Sequence, residues 1–140
     1  MSDKTFVDSN VLIYAHDLDA KSKQIAAKTL LYELWEEGSG ALSMQVLQEF
    51  YVNVTRKIAV PMSKDEARRV VETYAVWCVA TTPKEISSAF RIEDEARIGF
   101  WDAMIVASAL SCGAVRILSE DLNAGQRIVG VRVENPFHSQ

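Results

Sequence analysis

The sequence predicts an α/β domain in which a central, mostly parallel sheet is flanked by helices. Short β-favouring runs alternate along the chain with longer stretches of helical periodicity, an order typical of parallel strands joined by helices. With 140 residues, 49% of them hydrophobic, the chain has the length and apolar content of one folded domain. It contains only six glycines and three prolines, and no repeat or linker is visible. We therefore expect one domain over residues 1–140.

The predicted elements of the first half are a strand over 5–7, a helix reaching 15, a helix over 21–37, a strand over 41–43 and a helix over 44–58. The first strand is apolar and ends at Asp8, and Asp8 or Ser9 can cap the helix that follows. Gly38 is a natural stop for the second helix. Ser43 is the predicted N-cap of the third helix, and Pro61 closes the segment.

The second half continues the alternation, with a helix over 63–77, a β-like run over 78–81, a helix over 84–97, a helix around Asp102, and strands over 115–118 and 129–133. Ser63 and Glu66 have the spacing of a capping box. Pro83 suits the first turn of the next helix, and Gly113 ends the helix that contains Asp102.

The composition excludes several classes of protein. Cys78 and Cys112 are too few for a disulfide framework and lack metal-ligand spacing, so we expect reduced core thiols in a cytosolic protein. Residues 1–20 hold no basic segment followed by an apolar run, so we expect no secretory signal. The apolar stretch over 98–115 carries one charge, Asp102, and is rich in small residues, which favours a buried helix over a membrane span.

Four carboxylates occupy positions at which an α/β sheet places its functional site. Asp8 and Asp121 directly follow predicted strands, and Glu49 and Asp102 lie near the starts of helices. In open α/β sheets, ligands bind beyond the carboxyl ends of the strands. The four acids could therefore meet at one edge, where their hard oxygen atoms would attract Mg²⁺ or Mn²⁺.

Each acid also has a purely structural interpretation. Asp8 can be a helix N-cap, and Asp102 can be an N-cap or the partner of a nearby arginine. Helical periodicity places Glu49 opposite the apolar stripe of its helix, which predicts a solvated surface residue. Asp121 can be a turn residue, and Glu120 beside it is equally acidic, so spacing alone does not choose between them.

Four segments carry a family resemblance: FVDSNVLIYA over 6–15, LSMQVLQEFY over 42–51, FWDAMIVA over 100–107 and ILSEDL over 117–122. In this order, and spanning nearly the whole chain, they resemble the PIN-domain ribonucleases of the small, single-domain VapC-like group. The resemblance implies a parallel sheet flanked by helices, in agreement with the alternation of elements.

The resemblance also implies an acidic metal site. The acids that it selects are Asp8, Glu49, Asp102 and Asp121. It overrides the periodicity argument at Glu49, and it selects Asp121 over Glu120. Ser119 matches a position at which the family often has Ser or Thr, able to hydrogen-bond a metal ligand or a phosphate. Asn10 matches the family's Asp-x-Asn opening and would support the ligands from behind.

The implied activity is metal-dependent hydrolysis of RNA. One or two Mg²⁺ or Mn²⁺ ions can neutralise a phosphodiester, activate a water and stabilise the leaving oxygen. By resemblance, the cut leaves a 5′-phosphate and a 3′-hydroxyl. The protein would be the toxin of a toxin–antitoxin pair, inhibited by a small antitoxin whose segment enters the acidic groove. Trp35, Tyr51 or Trp77 would serve a homodimer or an antitoxin contact.

The net charge of −4 argues against a strong general affinity for nucleic acid. If four carboxylates hold metal, the rest of the chain is close to neutral. The basic residues that can form a rim are Arg56, Lys57, Lys64, Arg68, Arg69, Arg91 and Arg97, although they also fit ordinary solvated helix faces. We expect modest, salt-sensitive affinity for a single-stranded loop of RNA.

Several alternatives belong to other functional classes. A phosphatase of the haloacid dehalogenase type requires a second acid where this chain has Asn10, and a receiver domain requires a late lysine, whereas none follows Leu118. A PIN-fold module that binds RNA or a protein without cleavage, and a housekeeping RNA-processing nuclease, both stay open. We expect neither His16 nor His138 to be catalytic.

Overall fold

The computed structural model describes residues 3–122 and 125–137 and shows alternating strands and helices. The strands are β1 (Lys4–Val7), β2 (Gly40–Ala41), β3 (Ala114–Leu118), β4 (Arg127–Ile128) and β5 (Val131–Glu134). The helices are α1 (Ser9–Ala15), α2 (Ser22–Glu37), α3 (Met44–Arg56), α4 (Lys64–Tyr74), α5 (Pro83–Ala96) and α6 (Phe100–Ser111), with a 3₁₀ turn at Ala75–Trp77. The predicted α/β class is confirmed.

The five strands form one sheet in the order β2-β1-β3-β5-β4. All neighbouring pairs are parallel except β4 and β5, which are antiparallel. Because β1, β2 and β3 run in the same direction, the residues that follow them lie along one edge of the sheet. Asp8, Leu42 and Ser119 are the first residues beyond these strands.

The core lies between the central strands and the helices that cover them. Phe6 and Val7 of β1 and Ile117 of β3 are fully buried. Helix α6 is buried along its central part, from Ala103 to Ala109, as its small and apolar residues predicted. No helix within residues 3–122 and 125–137 combines the length and hydropathy needed to span a bilayer.

The largest difference from the predicted elements is at the last strand. Val129 was predicted to begin it, but Val129 and Gly130 form the two-residue connection of a hairpin between β4 and β5. Both have positive φ angles, 52° and 89°, which is the geometry of a tight type I′ turn. Valine rarely adopts such a conformation, so local propensity predicted strand where tertiary pairing of β4 with β5 imposed a turn.

Smaller differences concern ends and caps. The run over 78–81 forms only an isolated bridge between Leu42 and Cys78. Ser63 accepts the Glu66 N–H as predicted, but the complete capping box lies at α5, where Thr82 and Glu85 bond reciprocally. The third helix ends at Arg56 and not at residue 58, and the fourth at Tyr74 before the 3₁₀ turn. Both cysteines are free, as predicted, but only half-buried.

Candidate active site

Asp8 stands at the junction of β1 and α1, where it is only 4% exposed. It is the N-cap of α1, and its Oδ1 accepts the N–H of Ser9 at 2.7 Å. Its Oδ2 accepts the hydroxyl of Ser119 at 2.7 Å. Capping and a place in the acidic cavity are therefore compatible, because the two oxygens of one carboxylate face different partners.

Ser119 holds the segment after β3 against β1. Its fully buried Oγ donates to Asp8 and accepts the N–H groups of Asp121 and Leu122, at 3.1 and 3.2 Å. One hydroxyl thus connects Asp8 to the loop that carries Asp121. This is the supporting role that the resemblance implied for Ser119.

Asn10 and its neighbours decide which acid of the loop reaches the cavity. The Asn10 Nδ2 donates to Asp121 at 3.1 Å, and its Oδ1 accepts the N–H of Glu120 at 3.0 Å. The carboxylate of Glu120 is turned away, bound by Tyr14 and by Lys23, each at 2.6 Å. Asp121 lines the cavity and Glu120 does not. The contacts therefore support the choice of Asp121.

Glu49 and Asp102 approach the cavity from two helices. Glu49 is half-buried on α3, so the solvated surface position predicted from periodicity is wrong. Asp102 lies in the first turn of α6, whose N-cap is Gly99, so Asp102 is not the cap. In the described parts of the chain Asp102 makes no ion pair, with Arg97 or otherwise. Both structural interpretations of Asp102 are thereby wrong.

All four acids line one cavity of about 830 Å³ at the edge of the sheet. Asn10 lines it as well. The sequence reasoning missed several other lining residues: Asp17, Asp19, Gln45, Gln48, Asn53 and Trp101. Of the seven basic residues proposed for a rim, Lys57 lines the cavity and the other six do not. Proximity to Asp102 or Glu49 in the sequence was the one available signal for Trp101, Gln45, Gln48 and Asn53.

The acids are close enough to influence one another electrostatically. Burial raises the pKa of Asp8 from 3.8 to about 6, even though the bonds from Ser119 and Ser9 favour its ionised form, and the charges of Glu49 and Asp121 add to the rise. Burial also raises the pKa of Asp102, again with contributions from Asp121 and Glu49.

The chemistry of these donors fits a hard divalent cation. Crowded carboxylates with raised pKa values are relieved by a bound cation, and oxygen is the ligand that Mg²⁺ and Mn²⁺ prefer. Within residues 3–122 and 125–137, no three His, Cys, Asp or Glu side chains are arranged to hold one ion directly. Mg²⁺ usually keeps several waters and binds through one or two carboxylates and a substrate phosphate, which suits an open cavity of this kind.

His16 lies away from this chemistry. His16 is half-buried, its Nδ1 is 3.1 Å from the Leu12 carbonyl, and burial lowers its pKa. It does not line the acidic cavity. His138 lies outside the described residues.

The aromatic residues suggested for contacts differ in exposure. Trp77 is buried at 8% exposure and packs against Trp35, which is 42% exposed, while Tyr51 is half-buried. Trp77 is therefore not available for the contact that was suggested for it.

The fold and the cavity together define an α/β domain with an acidic cavity at the carboxyl edge of a mostly parallel sheet. The family model of the PIN domain matches residues 5–127, and the chain belongs to the PIN domain family. Among curated proteins there is no match to this sequence.

Solved structures share this fold at low sequence identity. The crystal structure of FitAcB from Neisseria gonorrhoeae matches with a TM-score of 0.66 and 18% identity, over 96% of this chain and 99% of that chain. A toxin–antitoxin complex from Klebsiella pneumoniae matches with a TM-score of 0.67 and 18% identity, over 96% of this chain and 98% of that chain. DNA-bound VapBC from Salmonella typhimurium matches with a TM-score of 0.66 and 20% identity, over 96% of this chain and 99% of that chain. The PIN domain family expected from the sequence is thus confirmed by the family model, and these structures confirm the fold.

Proposed function

We propose that this protein is a metal-dependent endoribonuclease and the toxin of a type II toxin–antitoxin pair. The observation that supports the proposal most is the meeting of four acids, distant in sequence, in one cavity, where burial and, to a smaller extent, like charges raise the pKa values of Asp8 and Asp102. Such crowding is costly for a metal-free fold. It is useful where cations and a phosphodiester are to be bound.

The proposed ligands and catalytic acids are Asp8, Glu49, Asp102 and Asp121. When bound, Mg²⁺ or Mn²⁺ supplies a nucleophilic water and stabilises the charge of the phosphodiester and its leaving oxygen. Ser119 and Asn10 hold Asp8 and Asp121 in position. Lys57, on the cavity wall, attracts the RNA backbone. We propose products with a 5′-phosphate and a 3′-hydroxyl, as the family resemblance implies.

The proposed partners follow from the same site. The acidic cavity suits a basic segment of a small antitoxin, which would block access by RNA. The Klebsiella pneumoniae structure that shares this fold is a toxin–antitoxin complex, which favours this role over a housekeeping nuclease. We also propose a homodimer. We place the protein in the cytoplasm, where RNA is available and free thiols persist.

Cleavage of a fluorescently labelled single-stranded RNA, with Mn²⁺ and with EDTA, tests the proposal. We expect cleavage with Mn²⁺, none with EDTA, and loss of cleavage in Asp102→Asn. The matched control is Asp94→Asn on the exposed face of α5, which removes the same charge outside the cavity and should retain activity. Cleavage that persists in EDTA or in Asp102→Asn contradicts the mechanism. Binding without cleavage by the wild type favours a non-cleaving PIN module.

Expression in a bacterial host separates the toxin from a housekeeping nuclease. Growth arrest by the wild type, absent with Asp102→Asn and relieved by a small co-expressed partner, supports the toxin. Harmless expression of an enzyme that cleaves RNA in vitro favours a housekeeping role.

A further inference from the structure

Trp101 exposes its indole beside the four acids. It lines the acidic cavity, immediately precedes Asp102 in α6, and is 65% exposed. The other two tryptophans are used differently, since Trp77 is buried and Trp35 packs against it with ring centroids 5.4 Å apart. An exposed indole beside a cavity of this kind offers a face on which a flat, aromatic ligand can stack.

The position of Trp101 is held from two sides. The Gln45 amide donates to the Trp101 carbonyl at 3.3 Å and to the Glu49 carboxylate at 3.4 Å. The Phe100 ring meets the indole edge-to-face, with centroids 5.1 Å apart and planes at 74°. Gln45 therefore couples the place of Trp101 to that of Glu49. Gln45 thus fixes the backbone at Trp101, and the Phe100 ring contacts one side of the indole.

We propose that Trp101 forms a nucleobase subsite, on which an unpaired base next to the scissile phosphate stacks. The inference rests on the proposed function, because it assumes that the phosphodiester lies at the acids. A base adjacent to that phosphate is then within reach of the residue preceding Asp102. A base in a duplex is already stacked and paired, whereas a base in a single strand has a free face. The subsite therefore selects single-stranded RNA.

The cavity that Trp101 lines also offers hydrogen-bonding groups. Gln48 and Asn53 line the same cavity and carry amides, which can donate to and accept from the edge of a base. Stacking on Trp101 tolerates any base, since every base has a π face. Preference among bases would come from these amides, and affinity from the indole.

Steady-state cleavage and RNA binding by Trp101→Ala and Trp101→Phe test the subsite. The matched control is Tyr32→Ala, which removes an aromatic ring of similar exposure, 66%, that does not line the acidic cavity. Stacking of a base on an aromatic side chain predicts a KM raised by about 5- to 150-fold in Trp101→Ala, with a smaller rise in Trp101→Phe. Tyr32→Ala should retain the KM of the wild type.

RNA with an abasic nucleotide next to the cleavage site supplies the second arm. The wild type should bind it less tightly than intact RNA by fluorescence anisotropy, whereas Trp101→Ala should bind both alike, because the two changes remove the same contact. If the wild type cleaves RNA and Trp101→Ala has the same KM and Kd as the wild type, the proposed subsite is wrong, whereas the proposed function stands. A wild type that neither cleaves nor binds RNA overturns both proposals. If Trp101→Ala keeps its affinity for RNA but is no longer inhibited by a basic peptide, the indole contacts a protein partner. That result also contradicts the subsite.

Discussion

Replacing Asp8 with Asn is expected to change stability with opposite signs at high and low pH. The pKa of Asp8 rises from 3.8 to about 6 on folding, chiefly through burial. Because the pKa of Asp8 is higher in the folded state than in the unfolded state, protonation of Asp8 stabilises the fold. This contribution to the free energy of unfolding is fully present below pH 3.8 and is lost as the pH rises through about 6. At pH 8 the folded, metal-free protein therefore carries an ionised Asp8 at a cost of about 3 kcal/mol.

Asn removes this cost but also loses a bond. Its Oδ1 can still accept from Ser9, but its amide would donate to a Ser119 hydroxyl that already accepts two N–H groups. Losing the bond from Ser119 costs on the order of 1–2 kcal/mol. The balance is a gain of about 1 kcal/mol in the free energy of unfolding at pH 8 and a loss of about 1 kcal/mol at pH 4.

Urea unfolding of the metal-free protein at pH 4, 6 and 8, followed by tryptophan fluorescence and circular dichroism, measures this difference. Asp94→Asn, an exposed carboxylate, should change stability by less than about 0.5 kcal/mol at each pH. An Asp8→Asn variant that is equally destabilised at pH 4 and pH 8 would refute the argument. Added Mn²⁺ should stabilise the wild type and have much less effect on Asp8→Asn, because the proposed site has lost a ligand.

Three further tests, the last a pair of substitutions at neighbouring acids, address other parts of the site and core. Ser119→Ala should lower the free energy of unfolding by about 1–3 kcal/mol and reduce cleavage, since the buried N–H of Leu122 and the half-buried N–H of Asp121 lose their acceptor. Gly40→Ala should cost about 1–3 kcal/mol, because a Cβ there would lie 2.6 Å from the Trp77 ring. Glu120→Gln should cost less than about 1 kcal/mol and retain cleavage, whereas Asp121→Asn should abolish it.

Urea unfolding and the RNA cleavage assay check all three. Full stability of Ser119→Ala would show that water replaces the hydroxyl. Unchanged stability of Gly40→Ala would show that Trp77 can move, despite its burial. Loss of cleavage in Glu120→Gln together with activity in Asp121→Asn would reverse the assignment of the two acids.

Local chemistry made many of the elements predictable. Asp8 or Ser9 was predicted to cap α1, and Ser43 was predicted to cap α3. In the structure Asp8 and Ser43 are the caps. A cap depends on one side chain and an N–H one to three residues later, so the sequence contains both partners. Helix α6 was predicted to be buried because its residues are small and apolar on every face.

Glu49 shows where local reasoning fails. Periodicity assumes a helix with one buried face and one solvated face, and Glu49 lies opposite the buried residues Leu47, Phe50 and Val54. In the fold, the opposite face of α3 forms a wall of the acidic cavity together with α1, α6 and the loop after β3. This third environment arises only when distant segments pack together. The family resemblance indicated Glu49, and periodicity did not.

The amino-acid sequence by itself determined the alternation of strands and helices, most of their ends and the presence of acids after β1 and β3, because these depend on near neighbours in the chain. Local spacing did not choose between Glu120 and Asp121, and the family resemblance selected Asp121 without a physical reason. Only the tertiary structure supplies that reason, because it turns the Glu120 carboxylate away from the cavity. The carboxylate of Glu120 is held by Tyr14 and Lys23, which precede it by 106 and 97 residues. The same packing buried Asp8 among like charges. Burial and electrostatic repulsion act through space, so their effect on a carboxylate depends on which distant residues the fold brings beside it.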